Sequence, residues 1–222
     1  TGQATILDND VPTVSVNAGV ANNNIDINEG DKGIFTVDVS KAAAGSTLAL
    51  QLNNGSALVG DDYAAAFEVS TDGGANWTAY SSALTLSAGV SQVLVRATTL
   101  DDSINEPNET FTLKADLNSN GQGYSATGQA TILDNDVPTV SVNAGVANNN
   151  IDINEGDKGI FTVDVSKAAA GSTLALQLNN GSALVGDDYA AAFEVSTDGG
   201  ANWTAYSSAL TLSAGVSQVL VR

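Results

Sequence analysis

Cysteine, histidine and methionine are all missing from this chain of 222 residues, and Lys and Arg together number only 7. Without thiol or imidazole there is no Cys or His nucleophile, no Ser-His-Asp arrangement and none of the usual zinc ligands. Without disulfides, each domain must hold together by core burial and any bound metal, and cysteine gives no sign of the redox compartment. Against the few basic residues stand 25 acidic ones, for a formal charge of −18. Phosphate binding draws on clustered Lys and Arg, so the balance disfavours a nucleic-acid groove and, equally, an anionic membrane surface. No apolar run reaches the roughly 18 residues of a membrane-spanning helix. Aromatics make up only 5% of the chain, so the core is expected to be mostly Val, Leu, Ile and Ala. The chain begins with neither Met nor a signal-like segment, and Thr1 is expected to start in the middle of something.

What the chain does have is repetition. Residues 1–96 recur without a difference as residues 127–222, a period of 126 residues. That is far longer than a solenoid repeat and suits whole domains, each with its own core. Beginning a unit after Asp10 gives residues 1–10 as the last strand and linker of a preceding repeat. Residues 11–136 are then one complete repeat, and 137–222 a second identical one that stops before its own version of 97–136. The chain reads as a window on a longer tandem array.

Within a repeat the pattern is strand after strand. IFTVDVS alternates Phe35, Val37 and Val39 with Thr36 and Asp38; TLALQL places Leu48, Leu50 and Leu52 on one face; TFTLKADL does the same with Phe111, Leu113, Ala115 and Leu117. Period-2 alternation of this kind predicts half-buried antiparallel strands. AFEVSTDGGANWTAY predicts a hairpin, since Asp72, Gly73 and Gly74 tolerate positive φ between two β-prone runs. Two further strands flank Ala88 and Gly89, and GQATIL supplies the last. About seven short strands per unit with no useful helical period point to an all-β fold, an antiparallel Ig-like β-sandwich in tandem.

The chemistry gathers in TTLDDSINEPNET, residues 98–110, where Asp101, Asp102, Glu106 and Glu109 fall within nine positions without one Lys or Arg. At ~5 Å two such charges repel by roughly 3 kcal/mol at an effective dielectric of about 20, and by well under about 1 kcal/mol in bulk water. Pro107 stiffens the loop just before the following strand, so it cannot freely splay its charges. The choice lies between a solvated acidic surface and a bound cation. Calcium takes about six to eight oxygens from carboxylates, carbonyls and water, which this loop, Asp61, Asp62 and the LDND strand end can supply; magnesium keeps more of its waters.

Four stretches in order, INEGDKGIFTVDVS (27–40), GDDYAAAFEVS (60–70), TTLDDSINEPNETFTL (98–113) and ATGQATILDND (126–136), resemble the Calx-beta domain. That family is a calcium-binding β-sandwich of sodium/calcium exchangers and of long repetitive bacterial adhesins. The resemblance implies Ca2+ ligands at Glu29, Asp62, Asp101, Asp102, the backbone carbonyl of Ile104, Glu106, Glu109, Asp134 and Asp136, with Glu155 and Asp188 as counterparts in the second repeat. Ser103 stands where many members have a third Asp, and Asn135 interrupts the linker acids, so affinity is expected to be weaker or a metal fewer. Eight carboxylates are too many for one ion and imply roughly two to four calcium ions at one pole.

In adhesins such domains are extenders that project a terminal binding domain from the bacterial cell surface, fold in external calcium and have neighbouring repeats as their partners. Two rival functions are a calcium-sensing regulatory module and a directly adhesive ligand-binding repeat. Asp26, Asp31, Asp38, Glu68, Asp72 and Asp116 are expected to be ordinary surface acids, and Trp77 a lid on the core. A paired-carboxylate glycosidase needs only two acids, but no cleft of substrate-orienting aromatics is evident and identical tandem copies suit a spacer better than a catalyst. No enzyme and no small-molecule substrate is expected.

Overall fold

A computed structural model of the chain describes residues 3, 4, 9–17, 19–143 and 146–222. Most of the strand expected within residues 1–10 lies outside the described residues. The chain divides into two compact units, Thr1–Asp102 with Pro107–Asn135, and Ser103–Glu106 with Asp136–Arg222.

In the first unit β1 (Thr13–Val16), β3 (Lys32–Ser40), β5 (Glu68–Ser70), β6 (Thr78–Ala79) and β8 (Gln92–Thr98) form one sheet, ordered β1-β3-β8-β5-β6. The other holds β2 (Asn24–Asn28), β4 (Thr47–Asn54), β7 (Leu84–Thr85), β9 (Glu109–Ser119) and β10 (Gln122–Leu133), ordered β2-β10-β9-β4-β7. The expected β-sandwich is there, but in more pieces than the seven or so strands expected. The additional pieces are segments of two or three residues, such as β6 and β7, too short to show any period in sequence. The strand pairs are antiparallel except β2 with β10, which run parallel from Asn24↔Gln129 to Asn28↔Leu133.

Alternation drives the packing. Phe35, Val37 and Val39 of one sheet and Phe111, Leu113, Ala115 and Leu117 of the other are all buried in a single core. Each of the Val, Leu and Phe side chains contributes about 1.5–3 kcal/mol when fully removed from water. Few aromatics are present, and three of them meet at the centre: Tyr63 stacks on Phe111 with centroids 4.4 Å apart, and Phe35 meets Phe111 edge-on at 5.7 Å. Trp77, expected as a core lid, instead packs on the outer side of its sheet, where the Arg96 guanidinium lies 4.2 Å from its ring centroid. The sheets are also joined by a buried Asn17 in the left-handed region (φ 51). Its amide donates to the carbonyls of Asn23 (3.0 Å) and Gln129 (3.2 Å), and its Oδ1 accepts from Thr36 N (3.2 Å).

The second unit is the same sequence in another setting. β11 (Thr139–Val142), β12 (Phe161–Ser166), β14 (Glu194–Ser196), β15 (Thr204–Ala205) and β17 (Gln218–Val221) reproduce the first sheet in the order β11-β12-β17-β14-β15. The other sheet is reduced to β13 (Thr173–Leu174) paired with β16 (Leu210–Thr211). No segment here corresponds to β9 and β10, so β13 keeps two residues where β4 has eight. Side chains that β9 and β10 cover in the first unit are uncovered: Ile27 is 4% exposed and its counterpart Ile153 46%. Leu176, the counterpart of Leu50, is half-buried, whereas Val163, the counterpart of Val37, stays buried. The reason is its sheet: Val163 pairs with Val142 and Val219, both still present.

TLALQLNN occurs twice, as 47–54 and 173–180, and proteolysis yields one peptide mass from both copies. Hydrogen–deuterium exchange should therefore resolve two isotope envelopes of equal area for it, one slow and one fast. A single envelope would contradict the difference between the two copies.

Candidate metal centre

The strand registers decide where the acids go. β9 pairs with β10 so that Glu109 faces Ile132, two residues before Asp134. β2 pairs with β10 so that Asn28 faces Leu133, which sets Glu29 beside Asp134, and Glu29 N donates to Leu133 O at 3.0 Å. β4 pairs with β9 so that Asn54 faces Phe111, and the loop carrying Asp62 starts at that same end. β3 pairs with β8 so that Lys32 faces Thr98, which aligns the Glu29–Asp31 turn with the start of the acidic loop. Four segments remote in sequence thus deliver carboxylates to one pole of the first sandwich.

Two pairs form within that unit. Glu29 and Asp134 present carboxylate oxygens within 4.8 Å of each other, and so do Asp62 and Glu109. Burial is the main cause that holds the Glu29 carboxyl above the ordinary value of 4.5; the charges of Asp102 and Asp134 add to it, and backbone hydrogen bonds at Asp102 and Asn135 oppose it. Its Oε2 is buried without a hydrogen-bond donor. The six acids expected to be ordinary each find a donor instead. Asp26 accepts from Asn24, Asp31 from Asn28, Asp38 from Gln92, Glu68 from Arg96 and Lys32, Asp72 from Ser70 and Asn76, and Asp116 from Ser125 and Lys114. The Asp72 carboxyl lies at about 2 because of those hydrogen bonds, chiefly from Asn76.

Neutral residues fix the acids in place. Asn135 Nδ2 donates to Asp101 Oδ1 at 2.9 Å and to the Glu29 carbonyl at 3.3 Å. Thr99 Oγ1 donates to the Asn28 and Asp31 carbonyls at 3.1 and 2.9 Å, and Asn108 Oδ1 accepts from Asp134 N at 3.2 Å. Gly30, at φ +79, lies so close to Asp101 that a Cβ there would sit 2.9 Å from Asp101 Cβ. Leu100 N reaches the Asp62 carbonyl at 2.9 Å, and Asp62 Oδ2 accepts from Leu58 N at 2.6 Å. Sequence reading took Asn135 only as a lost charge and overlooked Thr99 and Asn108. The one available signal was position: Asn108 and Asn135 lie between acids, and Thr99 two residues before Asp101.

The remaining sequence-derived ligands fall as follows. Asp101 and Asp102 are exposed on the loop. Ile104 and Glu106 lie in Ser103–Glu106, which belongs with the second unit, as does the buried Asp136. Along the chain Glu106 is three residues from Glu109, and Asp136 two from Asp134. In the second repeat Glu155 is exposed and Asp188 accepts from Leu184 N at 2.8 Å. Among the described residues neither belongs to a group of three clustered acids. The segment that brings the other acids to Glu29 and Asp62 has no counterpart there.

Residues 8–138, more than half of the chain, match the Calx-beta domain family, and the chain belongs to that family. Similar solved structures include the apo form of the Calx CBD1 domain, 16% identical over 57% of this chain and 100% of that one, with a TM-score of 0.40. CBD12 from CALX1.2 is 13% identical over 94% of this chain and 73% of that one, at a TM-score of 0.41. The calcium binding domain CBD12 of CALX1.1 is 15% identical over 88% and 70%, at 0.38. No curated protein matches the chain.

The pole fits a hard cation: its side-chain donors are carboxylate and amide oxygens, and Glu29 Oε2 is a buried acceptor that lacks a donor. Because the Glu29 carboxyl is raised, it binds its proton more tightly in the folded than in the unfolded chain. Its contribution to metal-free stability is therefore full below about pH 4.5 and is lost as pH rises through the raised value. Metal-stripped Glu29→Gln should melt higher than the parent at pH 7, with the gap closing toward pH 4. Parallel melting curves of the two proteins across this range would contradict the assignment.

Proposed function

We propose that the complete repeat, residues 11–136, is a calcium-rigidified extender, a stalk module of a bacterial adhesin on the outside of the cell, and that it is not an enzyme. The observation that carries this reading is the convergence of acids at the end of the sandwich from which β10 leads straight into an identical repeat. Asp134 and Asp136 leave β10, and Val137-Pro138 opens the next copy without a spacer. Glu29 with Asp134 and Asp62 with Glu109 would hold the ions, together with Asp101, Asp102 and the Ile104 carbonyl. Glu106 and Asp136, so near along the chain, would complete the two sets. Calcium supplies charge neutralisation there. Its partners are the neighbouring repeats. With the acids neutralised, the exit linker is fixed to the loop 98–110; without calcium the repulsion between Asp134 and Glu29 works against that.

Identical copies support a spacer over a sensor, because a spacer needs number and stiffness whereas a sensor needs one distinct partner element. The all-oxygen donor set supports calcium over softer metals. Among the described residues no helix is long and apolar enough to cross a membrane.

Millimolar calcium should raise the melting temperature of the chain well above its value in EDTA. Binding at 100 times Kd adds about 2.7 kcal/mol for each site. Asp102→Asn with Glu109→Gln should remove most of that response and leave the metal-free fold nearly unchanged, whereas Asp38→Asn with Asp116→Asn should change it little. Equal losses from both double variants would assign the effect to bulk charge, and the site reading would fail.

A further inference from the structure

Asp136 is 2% exposed, with Oδ2 buried and lacking a donor, while its Oδ1 is ion-paired with Lys167 Nζ. The pairing recurs one period earlier, where Lys41 Nζ lies 3.1 Å from Asp10 Oδ1. In both places the lysine directly follows a strand, β3 or β12, and adopts a left-handed backbone, φ 54 at Lys41 and φ 56 at Lys167. Such a conformation favours Gly or Asn over a long side chain. Two strained lysines, each placed on the aspartate that enters its own repeat, indicate that the ammonium is used. Asn105 adds to the arrangement around Asp136: its Nδ2 donates to the Asp136 carbonyl at 2.7 Å and its backbone N–H to the Lys167 carbonyl at 2.8 Å. Asp10, one period earlier, has a side chain that is 62% exposed.

We propose that Lys167, and Lys41 by repetition, is a built-in counter-ion: it holds the entering linker aspartate of each repeat when no divalent cation is bound, and it competes with such a cation for that carboxylate. The inference rests in part on the calcium reading above, but the latch itself does not need calcium. An ammonium is a point charge on a flexible stem, suited to giving up a carboxylate to a stronger cation. The same lysine would therefore keep the linker aspartate in place without metal and lower the apparent affinity of that carboxylate for metal.

The test uses the whole chain with Lys167→Met, the charge-preserving Lys167→Arg, and Lys158→Met as a control that removes a lysine from the exposed pair with Glu194. The amide of Asn105 reports the latch without calcium, because residues 97–126 occur only once in the chain. In EDTA, exchange at Asn105 should accelerate in Lys167→Met and stay at the parent rate in Lys167→Arg and Lys158→Met. In calcium titrations Lys167→Met should bind roughly threefold or more tightly, the scale of an ion pair with one partner exposed, and Lys158→Met should match the parent. An unchanged Asn105 rate in Lys167→Met overturns the latch, and unchanged or weakened calcium binding in that variant overturns the competition. A parent chain that binds no calcium at all removes the calcium reading and the competition with it, while the exchange result in EDTA still decides the latch.

Discussion

The β9–β10 ladder is the constraint on which the first unit depends. It is the longest pairing in the chain, from Glu109↔Ile132 to Gln122↔Ser119, and β4 and β2 join the sheet only by pairing with its two strands. The same hydrogen bonds therefore set both the core and the pole. They bury Phe111, Leu113 and Leu117 on one face, and their register sets Glu109 and Asp134 at one end. The identical sequence without this ladder, in the second unit, keeps one sheet nearly whole and reduces the other to a two-residue pairing. Local propensity is the same in both copies. What differs is the partner strand, and strand length follows the partner.

At the pole, folding energy works against electrostatics. Burying apolar side chains between the sheets forces Glu29, Asp62, Glu109 and Asp134 into close pairs that the chain charge of −18 does nothing to relieve. The Glu29 carboxyl is held above its ordinary value first by burial and then by the charges of Asp102 and Asp134. Neutral donors, Asn135 to Asp101 and backbone amides to Glu29 and Asp62, work against the repulsion. These donors do not cancel the charge at neutral pH, and a divalent cation would.

Much of this was legible in the sequence, for physical reasons that vary by element. The inward faces of β3 and β9 could be read because strict alternation over many residues has no other reading. The hairpin joining β5 to β6 could be read from Asp72-Gly73-Gly74. The parallel pairing of β2 with β10 could not, since it depends on a sheet-to-sheet crossing at Asn22 and Asn23, whose left-handed backbone an Asn-rich stretch does not specify. The acids near residue 100 stand out by density alone, but Glu29 and Asp134 are partners only because register makes Asn28 face Leu133. The roles of Asn135 and Lys167 are set by what surrounds them in space. A neutral residue between acids looks like a gap, and a lone lysine after a strand looks like solvent.

The measurement that bears most directly on the central claim is isothermal titration of calcium into the chain at physiological salt with excess magnesium present. The account predicts saturable heats for roughly two or more ions per chain, lost when Glu29 and Asp134 are replaced together by Gln and Asn. Heats that are featureless, or that magnesium abolishes, would show that the acids form a solvated surface and that the pole is not a calcium site.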